Sequence, residues 1–222
     1  ASTVNPIDGS ILWRSSDPAP GNWEKVIEGG FERPGATVFA SLRPFDDHLY
    51  IGSLSYPLYY ENGLDDAQAC EVLRMDRDDR VELLVGEDRA PGTPGTSNGA
   101  PLSGHEAGFG QPSNLYVWRT AAHDDGWFYV GTCDFAGMVR DYADEGTGVI
   151  PPEYEDLIDL YLGPSGFDLW RTQNGLDWTR ISRDGFGEAD SYGIRNFVST
   201  PWGLLVCVAN AVDGFELWLG KR

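Results

Sequence analysis

One phrase returns along this chain, and its spacing limits the folds available to it. From Gly166 it reads Gly166-Phe167-Asp168-Leu169-Trp170-Arg171-Thr172, then Asn174-Gly175, then Trp178-Thr179-Arg180-Ile181 and Gly185-Phe186-Gly187. An apolar run follows from Ile194 to Val198, then a Pro-Trp-Gly turn at 201–203 and a second run from Leu204 to Ala209. The phrase then restarts at Gly214-Phe215-Glu216-Leu217-Trp218. One unit is therefore about 48 residues, a period that marks a repeat architecture. Each unit holds four short strand-like runs separated by turn residues, which predicts four-stranded antiparallel units.

Earlier copies follow the same order. Leu12-Trp13-Arg14-Ser15 repeats Leu169 to Thr172, Trp23-Glu24-Lys25-Val26 repeats the Trp178 run, and Gly29-Gly30-Phe31 corresponds to Gly185-Phe186-Gly187. A degraded copy, Glu71-Val72-Leu73-Arg74-Met75-Asp76, is followed by Val81 to Val85 in the place of the Trp178 run. The strands of a unit are lettered a to d from the inside outward. Strand a is the run before the turn (36–42, 114–120, 193–198), and b is the Leu-Tyr-x-Gly run at 49–53 and its counterparts. Strand c is the Leu-Trp-Arg run, and d is the Trp-x-x-Val run. In this order and composition the units resemble kelch-like blades. More closely, they resemble the G-x-E-L-W-R-S-x-D-G-x-x-W repeats of bacterial propeller proteins. The resemblance covers most of the chain and implies an all-β β-propeller. It leaves the chemistry open, because propellers host many activities.

The expected organisation is one unit over 1–222: three to four four-stranded antiparallel blades forming part of a ring, with loop insertions and one short helix. Strands in a meander alternate in direction, so b–c and d–a connections emerge together. The three insertions, 54–67, 87–111 and 134–166, are of these kinds and share one face, where binding and catalysis are expected. In the third insertion, Pro151-Pro152-Glu153 and the spacing of Tyr154, Leu157, Ile158, Tyr161 and Leu162 predict a helix near 152–162. The second is rich in Gly, Pro, Ser and Thr and reads as a flexible loop.

Candidate chemistry is placed by that topology. His105 lies on the loop-rich face and is the histidine to test as a general base. Arg195, near the start of an a strand, and Tyr60 complete a candidate catalytic set. Tyr56 and Tyr59 could stack on a flat ligand such as a sugar ring. Ser55, Asp134 and Asn210 align at the ends of b strands and Asn114 at the start of an a strand, where polar groups either line a ligand mouth or cap the strands. His48 and His123 fall at a–b turns and are expected to be exposed. Cys70 and Cys207 read as core thiols, and Cys133 as inert or, alternatively, a nucleophile beside the rim. No metal-ligand spacing occurs, although acid-rich loops could hold Ca²⁺ through Asp and carbonyl oxygens.

The net charge of −19 argues against nucleic acid and anionic membrane surfaces as partners. No run reaches membrane-spanning length, and the expected setting is extracellular or periplasmic. The first recognisable strand and the last are both c strands, so the units do not close into a ring. The expectation is a larger propeller completed by a second polypeptide or a second copy. Two functions follow for the loop-rich face: binding of a small polar ligand, saccharide or partner protein, or an enzyme of the carbohydrate lyase or hydrolase kind.

Overall fold

In a computed structural model, residues 1–55, 68–136, 165–210 and 212–221 are described. The expected helix near 152–162 and Tyr56, Tyr59 and Tyr60 lie outside them. The described chain is all-β and antiparallel. A c–d pair comes first, β1 (Leu12–Arg14) with β2 (Glu24–Ile27). Two complete units follow. The first runs β3 (Val38–Phe45), β4 (His48–Leu54), β5 (Val72–Met75) and β6 (Val81–Val85). The next runs β7 (Asn114–Ala122), β8 (Phe128–Asp134), β9 (Leu169–Thr172) and β10 (Trp178–Ser182). An a–b–c unit ends the described chain, β11 (Ser191–Thr200), β12 (Gly203–Asn210) and β13 (Gly214–Lys221). Each unit pairs its strands in chain order.

Successive units meet in one recurring way. The b strand of one unit bridges to the a strand of the next, Leu54 with Tyr116 and Cys133 with Gly193. The glycine of the Leu-Tyr-x-Gly run makes this approach possible. A Cβ on Gly52 would stand 2.4 Å from Val117, and one on Gly131 would stand 2.7 Å from Ile194. Each a strand also bulges at the same place, leaving Ala40, Trp118 and Arg195 out of the pairing. The core forms where these faces stack, with Tyr50, Val117, Phe128 and Trp170 in one cluster and Phe167, Leu169, Ile194 and Val206 in another.

A corner built on Gly-Phe joins each d strand to the next a strand. Gly30-Phe31, Gly108-Phe109 and Gly185-Phe186 all hold left-handed backbone, with the three phenylalanines at φ 61, 58 and 65°. Such angles are unfavourable for a bulky side chain and persist only where the surroundings fix them. Here the glycine N–H of each corner donates to the residue entering the c strand: Gly30 to Ser10 O (3.0 Å), Gly108 to Cys70 O (2.7 Å) and Gly185 to Phe167 O (3.1 Å). The entering residues in turn donate to Ala36, Asn114 and Ser191 at the next a strands.

The second insertion differs from the expected flexible loop. It folds back along β6, with Leu83 N donating to Gly95 O and Leu102 N to Leu83 O, and His105 bridging Val85 in parallel. These bonds satisfy the free edge of β6, which an open loop would leave exposed.

Candidate functional site

The acid of the Gly-x-Glu-Leu-Trp phrase is Glu71 in one complete unit and Asp168 in the next, and both are fully buried. The hydroxyl that ends each b strand holds the acid's backbone. Glu71 N donates to Ser53 Oγ (2.8 Å) and Asp168 N to Thr132 Oγ1 (2.8 Å). Beyond the backbone the two sites diverge.

Glu71 receives two guanidinium groups. Arg89 grips it in a fork, Nη1 to Oε1 at 3.0 Å and Nη2 to Oε2 at 2.7 Å. Arg33 Nη1 stands 2.6 Å from Oε1, and Glu87 N donates to the same oxygen at 3.0 Å. Arg89 also donates to Phe31 O and Glu87 O, and Arg33 Nε donates to Gln68 Oε1. The carboxylate thus ties the first Gly-Phe corner to the c strand and d–a connection of the following unit. Buried ions need bonding of this kind to offset their desolvation, and Arg33 Nη1, buried beside Oε1, is held there as an ion pair without hydrogen-bond geometry.

Above this triad opens a cleft of about 620 Å³. Its walls come from the d–a corner at Glu32, Arg33 and Pro34, from Gln68 and Ala69 before β5, and from the d–a connection after β6. The last of these supplies Glu87, Asp88, Arg89, Glu106, Ala107, Gly110 and Pro112. All are b–c or d–a connections, so the cleft lies on the face where the insertions emerge. Arg89 turns its fork to Glu71 and Arg33 sets Nη1 against the same carboxylate, while four carboxylates, Glu32, Glu87, Asp88 and Glu106, line the walls.

Among the described residues no cation bonds to Asp168. Its Oδ2 accepts from Trp170 Nε1 at 3.0 Å, and its Oδ1 has no hydrogen-bond partner among the described residues. Burial pushes its carboxyl up to about 6 from an ordinary 3.8, against the opposing pull of Trp170, Asn114 and Arg183. The acid–x–Trp pairing recurs at Glu216, whose Oε2 accepts from Trp218 Nε1 at 2.9 Å. At Glu71 the residue two positions on is Leu73, and the carboxylate turns to arginine instead.

His105 stacks at the edge of Trp170 (5.3 Å) and near Phe109 (5.8 Å), beside cleft residue Glu106. Burial lowers its pKa, which favours neutral imidazole. Arg195 is exposed at its bulge, with its guanidinium 4.6 Å from the Trp118 ring. The two take different partners, and neither lines the cleft.

Ser55, Asn114, Asp134 and Asn210 are buried, with side chains bonded to strand-end groups. Ser55 Oγ accepts from Gln68 N, and Asn114 Nδ2 donates to Gly108 O. Asp134 accepts from Ala136 N and Gly166 N, while Asn210 Oδ1 accepts from Val212 N and Asp213 N.

His123 is buried, contrary to the expected exposed turn, because β11 of the next unit covers it and Ser199 Oγ lies 2.7 Å from its Nδ1. His48 is half-buried, with Nδ1 2.6 Å from Asp46 O. All three cysteines are buried, and burial pushes each thiol up, away from the nucleophilic thiolate. Among the described residues no cluster of three or more His, Cys, Asp or Glu is arranged to hold a metal, and no helix is long and apolar enough to cross a membrane.

Fold and site together define an all-β repeat protein with a charged cleft over a buried ion triad. No family model matches the chain, and no curated protein matches it. Among solved structures it is similar to sucrose-6-phosphate hydrolase from Lactobacillus gasseri, at 14% identity and a TM-score of 0.39. The match covers 97% of this chain and 39% of that one, so the chain spans about two fifths of that protein's length.

Proposed function

We propose that the four units are blades of a β-propeller and that the cleft over Glu71 binds a small, polar, uncharged ligand, a saccharide being the class that fits best. The single observation carrying this reading is the cleft itself, formed by loops on a rigid repeat and lined by amides and carboxylates. Carboxylates and amides are the groups that grip vicinal hydroxyls. Four wall carboxylates also disfavour a phosphorylated or otherwise anionic ligand, and the fork of Arg89 is already engaged by Glu71.

The test is a panel of neutral, anionic and cationic saccharides followed by ligand-observed NMR and calorimetry. Neutral sugars are expected to bind, and Glu106→Gln should weaken them at least fivefold with an unchanged melting temperature, while Gln68→Leu should weaken them and also lower the melting temperature, because Gln68 Oε1 accepts from buried Arg33. Binding that ignores both substitutions, or that prefers anionic sugars, would refute this cleft. The same panel, read for product, separates binding from hydrolysis or elimination, and His105→Ala and Arg195→Ala test the catalytic alternative.

A further inference from the structure

A second cleft, of about 630 Å³, lies between the Gly108-Phe109-Gly110 corner and the end of β10. Gln111 lines it from the corner, and Arg180, Ile181, Ser182, Arg183 and Asp184 line it from β10 and the turn that follows. The first cleft carries four acids beside two arginines already set against Glu71, whereas this one carries two arginines and a single acid. That acid is taken by its own turn, since Asp184 Oδ1 accepts from Ser182 Oγ (2.9 Å) and Gly187 N (3.2 Å).

The repeat shows what else can stand at the two arginine positions. Trp13 pairs with Lys25 and Leu12 with Ile27 in the first c–d pair, as Trp170 pairs with Arg180 and Leu169 with Ser182. Arg180 therefore corresponds to Lys25, and Arg183, one residue past the last pair, corresponds to Glu28. Lys25 Nζ meets Glu28 Oε1 at 2.7 Å, so that copy carries its own counter-ion. In the first complete unit the two positions are Leu83 and Gly86, and neither is charged. The unit of β7 to β10 carries arginine at both.

Arg183 Nη2 donates to Gly110 O (2.9 Å) and Gln111 Oε1 (3.2 Å), and the Arg180 guanidinium lies 5.9 Å from the centre of the Trp170 ring. Arg183 pulls on the buried Asp168 carboxyl, with no bond between them among the described residues. Neither arginine forms an ion pair among the described residues, whereas Arg14, Arg33, Arg74, Arg77, Arg80 and Arg89 each do. Two like charges in one cleft repel, and an anion between them removes that repulsion.

We propose that this cleft binds a small oxyanion, a carboxylate, sulfate or phosphate group, between Arg180 and Arg183. The ligand takes the place that the Glu28 carboxylate holds beside Lys25. Guanidinium groups meet the paired oxygens of such anions in a fork. The net charge of −19 repels anions in general, so one held here is held by local donors. This site is independent of the saccharide reading of the first cleft.

Calorimetry of the whole chain with sodium sulfate, sodium phosphate and sodium acetate tests it, at an ionic strength held constant with sodium chloride. One saturable site is expected, and Arg180→Ala should weaken it about tenfold, the loss of one charge-assisted contact. Arg180 is exposed, so its removal should leave the melting temperature unchanged. Arg183→Ala also removes the bonds to Gly110 and Gln111, and should weaken binding while lowering the melting temperature. Arg43→Ala, at an exposed position of β3, should bind as the wild type does. Preference for sulfate and phosphate marks a tetrahedral dianion as the ligand, and preference for acetate marks a carboxylate. An anionic sugar held here responds to Arg180→Ala and not to Glu106→Gln, which separates the two clefts. Three anions without saturable binding, binding indifferent to Arg180→Ala, or binding weakened equally by Arg43→Ala would each overturn the proposal.

Discussion

Glu71 and Asp168 sit at one position of the repeat, each at the mouth of a c strand with its backbone N–H on the hydroxyl that ends the b strand. Around Asp168 the tryptophan two residues on supplies an N–H, and among the described residues no cation bonds to the carboxyl. Around Glu71 that tryptophan has become Leu73, and Arg33 and Arg89 fill the carboxylate's remaining sites. The difference shows how a repeat acquires a special site without new architecture. Losing one donor frees an acid, and cations from the preceding corner and from the unit's own d–a connection tie neighbouring units together below a cleft. The unconverted copy retains a buried acid that is costly to ionise.

Substitutions that break this contrast should act in opposite directions. Glu71→Gln leaves two buried guanidinium groups without their counter-ion and should cost about 3–5 kcal/mol in denaturant unfolding. Asp168→Asn keeps an acceptor for Trp170 and removes the ionisation. Because the folded carboxyl titrates near 6 and the ordinary value is 3.8, its stabilising contribution is complete below about pH 4 and is lost as pH rises through about 6. The variant should therefore gain on the wild type between those values, by roughly 3 kcal/mol at pH 7.5 at about 1.4 kcal/mol per tenfold change. Below pH 4 the two should be equal. Arg89→Lys replaces a bidentate fork with a point charge and should cost about 1–2 kcal/mol by thermal unfolding. Trp170→Phe removes the indole donor to Asp168 and should raise that carboxyl further, at roughly 1 kcal/mol.

Much of this was legible in the sequence, because it rests on local pattern. Every described strand from Leu12 to Lys221 lies where the Leu-Trp-Arg and Trp-x-x-Val runs and their a–b turns put it. Gly52 and Gly131 recur in the Leu-Tyr-x-Gly run, but that they mark the close approach of units was not read from it. The corner at Gly108-Phe109-Gly110 escaped notice because twenty-odd residues separate it from β6. Its Gly-Phe-Gly spelling, identical to 185–187, was the available signal. The Glu71 triad was invisible for a different reason. Arg33 and Arg89 stand 38 and 18 residues from Glu71, and it takes the stacking of two units to bring the first and the fold of the d–a connection to bring the second. The missing tryptophan read as decay of the repeat, whereas it marks the carboxylate free to take other partners. His123 was misplaced because exposure at a turn depends on the neighbouring unit, which no local pattern reports.

The contrast between the two acids is measured most directly by the carboxyl ¹³C titration of Asp168, assigned with Asp168→Asn. The account predicts a midpoint near 6, rising in Trp170→Phe. A midpoint at or below 3.8 would mean that Asp168 has cationic or hydrogen-bonding support equal to its burial, and the proposed division between the two copies would fail.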